Sequence, residues 1–409
     1  MMVSRRTLLQ GGMLGGAAAL TPAGVRMAFA ATGASTANMI VFVLLRGGMD
    51  GLYMVAPSDD ADLIAARPAS LRLLASGTTP ALPLAHGPSS NDWRLHPAAP
   101  EFKALYDAGH LAFVHAAGIP ADSRSHFQMQ AMLEHGVADP TLLTRTSGWI
   151  GQYANATGIA SSTFAVISAD STLPASMSGD NEALSIANPK QFTLGSTPRS
   201  LFIQTAYGVA DGAVAASGRI AIDAVNLFQR KSTGFVAPAA GTYANNAFGQ
   251  GLSVIAETIK LDIGLQVAEV EYNDWDTHVA EQSRFANSAS ILSKGLGAFY
   301  NDIAAYANRV TIVVMSEFGR RVQSNASGGT DHGHGNVMMV LGGQVAGGRI
   351  YGTWPGLHPA VLDLGDVPVT TDYRSVLSEI ITAARGAPPA AVFPGFTAGA
   401  ALGLLTSQG

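Results

Sequence analysis

Met39-Ile40-Val41-Phe42-Val43-Leu44-Leu45 runs directly into Arg46-Gly47-Gly48-Met49-Asp50-Gly51. Seven apolar residues without a polar break read as a short strand buried on both faces. The polar, glycine-bearing segment behind them reads as a loop at its carboxyl end. Similar runs follow at 111–115, 163–168, 265–271, 310–315 and 337–341. Helical patterns lie between them. Phe285, Leu292, Leu296, Phe299 and Ile303 keep to one stripe of a helix. Segments 217–229 (with Ser217 placed as an N-cap), 247–260 and 372–385 also read as helices. Strands alternating with helices predict an α/β fold, a doubly wound and mostly parallel sheet sandwiched by helices.

Composition narrows the function classes. The chain has 409 residues, 47% hydrophobic and 13% charged, with a net charge of −5. A core of ample size is available, and no Lys/Arg block marks nucleic acid as a partner. Cysteine is absent, which excludes thiol catalysis, thiolate metal sites and disulfides.

Residues 1–30 read as an export leader. Ser4-Arg5-Arg6-Thr7-Leu8-Leu9 heads a mild Gly/Ala/Leu stretch, and Ala28-Phe29-Ala30 offers a small-x-small cleavage site. The pattern resembles a bacterial twin-arginine signal and implies a periplasmic or secreted protein that meets the twin-arginine export machinery. Removing it leaves 21 Lys and Arg against 29 acids, near −8. No later apolar run is long enough to span a bilayer, which takes about 20 residues, so no integral membrane segment is expected after signal removal. Residues 31–409 read as a single domain. Within them, 140–239 is poorer in strand–helix alternation and richer in Ser, Thr, Gly and Pro, and reads as a cap or insertion over the sheet.

In open α/β sheets, functional groups gather beyond the strand carboxyl ends. The polar punctuation follows that rule: 46–51, Asp122-Ser123-Arg124-Ser125-His126, Trp275-Asp276-Thr277-His278, Ser316-Glu317-Phe318-Gly319-Arg320-Arg321, and Thr330-Asp331-His332-Gly333-His334. Asp-x-His and Asp-His-x-His supply the oxygen and imidazole ligands that bind Zn, Mn, Mg or Ca. Asp50 between glycines reads equally as a turn residue, and Asp276/His278 as ligand or turn. Asp331-His332-Gly333-His334 is the strongest single element, and the constellation carries more than any motif. The His332/His334 loop precedes its strand whereas the others follow theirs. If all meet at one edge, the 337–341 strand near the C-terminus runs antiparallel to its neighbours. Ser125 stands before a helix at 127–135, where free N–H groups favour anions. Beside a metal it reads as a nucleophile, otherwise as an N-cap, with Ser123 an alternative. Arg320 and Arg321 read as phosphate or sulfate clamps or as partners of surface acids. His96 and His126 rank lower; His86, His110, His115, His135 and His358 read as structural.

Arg46-Gly47-Gly48-Met49-Asp50-Gly51, Ser125-His126-Phe127, Trp275-Asp276-Thr277-His278, Ser316-Glu317-Phe318-Gly319-Arg320 and 329–335 together resemble a twin-arginine-exported bacterial family of uncharacterised function, within the alkaline-phosphatase/sulfatase-like superfamily. The resemblance implies an alkaline-phosphatase-like fold and a two-metal hydrolase. Asp50 and the Glu317 loop would serve one ion, bridged by Ser125. Asp276, His278 and His334 (or His332) would hold the other. Zn is the implied ion, with Mg, Mn or Ca at a second site. The chain departs from the superfamily in carrying Glu317-Phe318 where an Asp-His pair is usual. It also lacks the Ser/Cys-x-Pro-x-Arg context of a sulfatase, which argues against a conventional one.

The sequence therefore leads to an exported metal-dependent hydrolase of phosphate or related anionic esters. In it Ser125 attacks, Arg320 steadies the developing charge, and Asp50, Asp276, His278, Glu317, Asp331, His332 and His334 supply the metal ligands. A small anionic ester is the expected substrate and nucleic acid is not a partner. The alternative is a non-catalytic periplasmic binding or assembly protein that retains the fold. Phosphoryl or sugar-phosphate transfer is a third reading.

Overall fold

The computed structural model describes residues 38–144, 147–159, 163–180, 182–189, 192–233, 237–239 and 241–406. The leader read at 1–30 lies outside the described residues. In chain order the strands are β1 (Met39–Leu45), β2 (Val55–Pro57), β3 (Leu82–Pro83), β4 (Trp93–Leu95), β5 (Leu111–Gly118), β6 (Val166–Ser168), β7 (Leu184–Ser185), β8 (Val267–Tyr272), β9 (Val310–Ser316), β10 (Arg320–Ser324), β11 (Thr330–His332), β12 (Asn336–Gly342), β13 (Ile350–Tyr351) and β14 (Thr371–Asp372). Nine of them form one sheet ordered β13-β5-β12-β9-β1-β8-β6-β7, with β14 beside β5.

β1 sits near the middle and pairs in parallel with β8 and β9. Its alternate residues serve opposite faces. Met39, Val41, Val43 and Leu45 pack with Phe248, Leu252, Phe285 and Leu292, on the side of the helices Ala247–Lys260 and Glu281–Asp302. Ile40, Phe42 and Leu44 pack with Met129, Trp149 and Val376. Those come from the helices His126–His135, Trp149–Thr157 and Tyr373–Arg385. A strand with two buried faces tolerates no polar break, which is why the opening stretch has none. The predicted stripe holds as well: Phe285, Leu292, Leu296, Phe299 and Ile303 are all fully buried.

β12 is the exception in direction. It pairs antiparallel with both β5 and β9, while the other pairings in this sheet are parallel. The antiparallel strand expected near the C-terminus is present, and its amino end lies at the edge where β1, β5, β8 and β9 end. Two small sheets accompany the main one: the hairpin β10–β11 and the antiparallel set β2–β4–β3. One boundary departs from the sequence reading. The helix predicted at 217–229 spans Ala213–Ser232, with Gly212 and not Ser217 at its cap position. Ala213-Val214-Ala215-Ala216 carries helix-favouring alanines that extend it by another turn. No helix among the described residues is long and apolar enough to cross a membrane.

One buried amide pins the antiparallel strand to its neighbours' ends. Asn336, only 3% exposed, donates from Nδ2 to the Met49 carbonyl at 3.0 Å and to the Phe318 carbonyl at 2.8 Å. Replacing it (Asn336→Ala) leaves two buried carbonyls without a donor, and each loss costs roughly 1–3 kcal/mol. Denaturant unfolding should show a destabilisation of about 2–4 kcal/mol. A change below about 0.5 kcal/mol would mean that water reaches these carbonyls.

Candidate metal centre

The loops at the carboxyl edge of the sheet are drawn together by one cation. Arg320 opens β10 and is 1% exposed. Its Nε donates to the Gly48 carbonyl at 2.6 Å, Nη1 to the Thr330 carbonyl at 2.9 Å, and Nη2 to the Gly47 carbonyl at 2.5 Å. Nη2 also reaches the Trp275 carbonyl at 3.2 Å and Asp276 Oδ1 at 2.7 Å. The guanidinium thus holds the β1, β8 and β11 loops at once. Close approach of backbone completes the junction. Gly47 adopts φ +120, and a Cβ there would lie 2.5 Å from the Asp276 backbone nitrogen.

Around Asp276 three imidazoles converge, each oriented by its far nitrogen. His332 Nδ1 faces the Arg124 carbonyl at 2.8 Å, an acceptor only, so that nitrogen carries the hydrogen. Burial holds the His332 pKa below the usual histidine value, and the neutral ring keeps its lone pair on Nε2. His278 Nδ1 faces Asp331 Oδ1 at 3.0 Å, and His126 Nδ1 faces Glu317 Oε1 at 2.7 Å. The Nε2 atoms of His278 and His332 are 2.9 Å apart. They lie 3.1 and 3.4 Å from Asp276 Oδ1, and His126 Nε2 lies 3.7 Å from Asp276 Oδ2. His126 Nε2 is buried without a hydrogen-bond partner. Ligand atoms of His126, Asp276 and His332 all fall within 4.8 Å of one another, the spread that one cation can collect.

The charges around this point favour cation binding. Burial raises the Asp276 pKa, but Arg320 and the neighbouring histidines outweigh it and hold the carboxyl ionised below its ordinary range. Glu317 is fully buried, which also pushes its pKa up. Hydrogen bonds from His126, Gln130 and the Gly47 N–H reverse that, and its pKa lies below the ordinary value. Glu317 in turn raises the pKa of His126.

Several residues expected as ligands have other duties. Asp50 is fully buried and ion-paired with Arg67, at 2.7 Å from Nη1 and 3.2 Å from Nη2, while Oδ1 also accepts the Tyr53 N–H. Its charge is already compensated, and it lies outside the imidazole cluster. His334 turns Nδ1 to Asp363 at 2.6 Å and Nε2 to the Ile119 carbonyl at 3.0 Å, so neither nitrogen faces Asp276. Glu317 and Asp331 orient histidines in place of contributing to the cluster. Arg320, expected to steady an ester's charge, is committed to the protein's own carbonyls. Arg321 pairs with Asp366 and the Leu364 carbonyl. Ser125 occupies the N-cap position of the helix His126–His135 without a side-chain capping bond, and it is exposed. Ser123 is the committed hydroxyl: it donates to Gln128 Oε1 at 2.8 Å and accepts the Ser125 N–H.

Sequence reasoning ranked His126 too low and missed Glu281 and Arg67. His126, Gln130 and Glu134 stand at i, i+4 and i+8, and this polar stripe along one side of the helix was the available signal. The Phe318 ring lies tilted against both His126 and His332, with ring centroids 4.8 and 4.7 Å away. Glu281 is fully buried and accepts the hydroxyls of Thr277 at 2.7 Å and Thr330 at 2.9 Å, tying together the two loops that carry His278 and His332. Burial and the nearby Asp50 charge push its pKa from the ordinary 4.5 to about 7, against the pull of Arg67. The unfolded chain releases this proton near 4.5 and the folded chain near 7, so stability falls as pH rises through that window. Glu281→Gln should remove the slope. The variant should gain on the parent protein between pH 4.5 and 7 by a margin on the order of 3 kcal/mol. Parallel stability–pH curves for the two proteins would refute the assignment.

A family model described as "Protein of unknown function (DUF1501)" matches residues 108–373, a span that holds His126, Asp276, His278 and His332. The comparison with curated proteins gave no match. Among solved structures the chain is similar to the C-terminal periplasmic domain of EcEptC from Escherichia coli, at 11% identity over 90% of both chains and a TM-score of 0.38. The Zn complex of that domain aligns at 10% identity over 89% of this chain and 88% of that one, with a TM-score of 0.39. The lipoteichoic acid synthase LtaP from Listeria monocytogenes aligns at 8% identity, covering 89% of this chain and 80% of its own, with a TM-score of 0.34. With its family match spanning well over half of its length, the chain belongs to the DUF1501 family.

Proposed function

We propose that the protein is an exported, metal-dependent hydrolase of phosphate or related anionic esters. Its divalent ion, of the Zn class, would be held by His126, His278, His332 and Asp276, and Ser125 would act as the nucleophile. The observation that carries the reading is the set of three Nε2 atoms turned toward one carboxylate, with each Nδ1 tied to an oxygen. Histidine ligands of zinc are oriented in this way, by a carboxylate or carbonyl on the far nitrogen. The partnerless, buried His126 Nε2 fits the same group. A bound ion supplies Lewis acidity, which favours ionisation of a nearby hydroxyl and offsets charge on an ester's oxygens.

The chain's own residues supply the rest. Ser125 presents an uncommitted hydroxyl between two residues of the centre, since the Arg124 carbonyl holds His332 and His126 follows. The first-turn N–H groups of the ten-residue helix His126–His135 carry no side-chain cap and would receive an anionic oxygen. Arg320 fixes Asp276 in place and so acts as a positioning residue. The twin-arginine reading of 1–30 supports export to the periplasm or beyond, and the cap reading of 140–239 would give the substrate its cover. One observation favours the non-catalytic alternative. Arg320 is turned inward onto the protein's own carbonyls and Asp276, so its guanidinium is not free to stabilise a transition state.

Elemental analysis of protein purified without chelator should find about one Zn-class ion per chain, lost in His278→Ala/His332→Ala and kept in Asp50→Asn. Glu317→Gln should weaken metal affinity by roughly 10–100-fold although it ligates nothing. Ser125→Ala should keep the metal and lose turnover in a screen of phosphate, phosphonate and sulfate esters. Absence of any bound ion would sink the metal mechanism. Retained metal with no turnover in the parent protein would make it a binding protein.

A further inference from the structure

A second group of titratable side chains lies two turns further along the same helix. Glu134 of the helix His126–His135 meets Glu269 and Glu271 of β8, one carboxylate oxygen from each lying within 4.8 Å of the others. Asp170 joins them, accepting the Glu271 N–H at 3.3 Å. Among the described residues, the cation facing this group is Arg46. Its Nε lies 2.6 Å from Glu271 Oε2, and its Nη2 lies 3.2 Å from Glu134 Oε1. Four carboxylates thus share one guanidinium in a largely buried place. Glu269 is the telling member. It is fully buried, one oxygen accepts the Ser176 hydroxyl, and the other, Oε1, has no hydrogen-bond partner. A buried carboxylate oxygen left unmatched among like charges is strongly destabilising unless a cation or a proton completes it.

We propose that Glu134, Glu269 and Glu271 bind a hard divalent cation of the Ca2+, Mg2+ or Mn2+ type, separate from the imidazole centre. The donors are all oxygen, which these ions prefer, whereas the imidazole-rich cluster suits zinc. The placement makes the ion structural. His126 and Glu134 are eight residues apart on one helix, about 12 Å along its axis, far beyond the roughly 4 Å spacing of a two-ion reaction centre. The two places are nevertheless linked. Gln130 accepts from Arg46 Nη1 at 2.9 Å and donates to Glu317 Oε1 at 2.8 Å, and Glu317 in turn orients His126. An ion here would fix the end of β8 against the helix that carries His126. Burial raises the pKa of Glu269 and of Glu134, so the competing balance is a proton held by the carboxyl cluster.

The test uses the full chain in a His278→Ala/His332→Ala background, which removes the imidazole cluster and makes the outcome independent of the proposed hydrolase site. After chelator treatment, Mn2+ is titrated by electron paramagnetic resonance, and Ca2+ and Mg2+ by thermal unfolding. The proposal expects about one Mn2+ per chain, displaced by Ca2+. It also expects Tm to climb by about 2 °C for each tenfold excess of Ca2+ over its dissociation constant. Both effects should vanish in Glu269→Gln, and in the more exposed Glu271→Gln should the first variant fail to fold. No bound Mn2+ and no Ca2+ shift, together with a Glu269→Gln variant more stable than its parent, would show that a proton balances the cluster and would overturn the proposal. Binding that survives both substitutions would overturn it equally.

Discussion

Burying the Arg320 guanidinium removes a charge from water, and the cost of that desolvation has to be met within the fold. Four backbone carbonyls and one carboxylate oxygen meet it, drawn from the loops after β1, after β8 and at β11. A planar fork of five N–H donors can satisfy so many acceptors in different directions, which a lysine ammonium cannot. The compensation runs both ways, because the same carbonyls would be orphaned without the cation. The geometry of the candidate metal centre follows from this arrangement. Asp276 is held at 2.7 Å from Nη2, and the pairing of Arg320 with His332 across the β10–β11 hairpin brings an imidazole beside it.

Much of the architecture was legible because it depends on local pattern. The unbroken apolar run at β1 demanded two covered faces, and it has them. The demand that the His332 loop reach the common edge led to an antiparallel strand, and β12 runs that way. The parts that could not be read depend on pairings between distant segments. Asp50 looks like a ligand until Arg67 is found beside it, and no spacing rule links those two residues. Arg320 looks like a free clamp until the carbonyls around it are counted. Glu281 opens the helix Glu281–Asp302, and only the packing of the Thr277 and Thr330 loops against it reveals its burial.

The Glu317-Phe318 pair shows how a departure in sequence is absorbed by structure. Phe318 stands where the resemblance led to the expectation of an imidazole, and its ring supplies no ligand atom. His126 instead projects from the neighbouring helix, lies tilted against Phe318, and takes its orientation from Glu317. The aromatic ring thereby walls one side of the cluster and the carboxylate aims the imidazole. The donor set is then rich in nitrogen around a single aspartate, the composition that suits zinc better than a harder ion.

The hydrogen bonds that build the centre join residues very far apart in the chain. His126 and Glu317 are separated by 191 positions, and Gly47 and Glu317 by 270. Contacts of such range close late, after long loops have been brought together at an entropic cost. A nascent or truncated chain therefore owns the ligands without owning the site. The three imidazoles acquire a common focus only once β1 has been flanked by β8 and β9 from the distant half of the molecule. An ion bound at this edge, as proposed, would in that sense report that the polypeptide has finished folding.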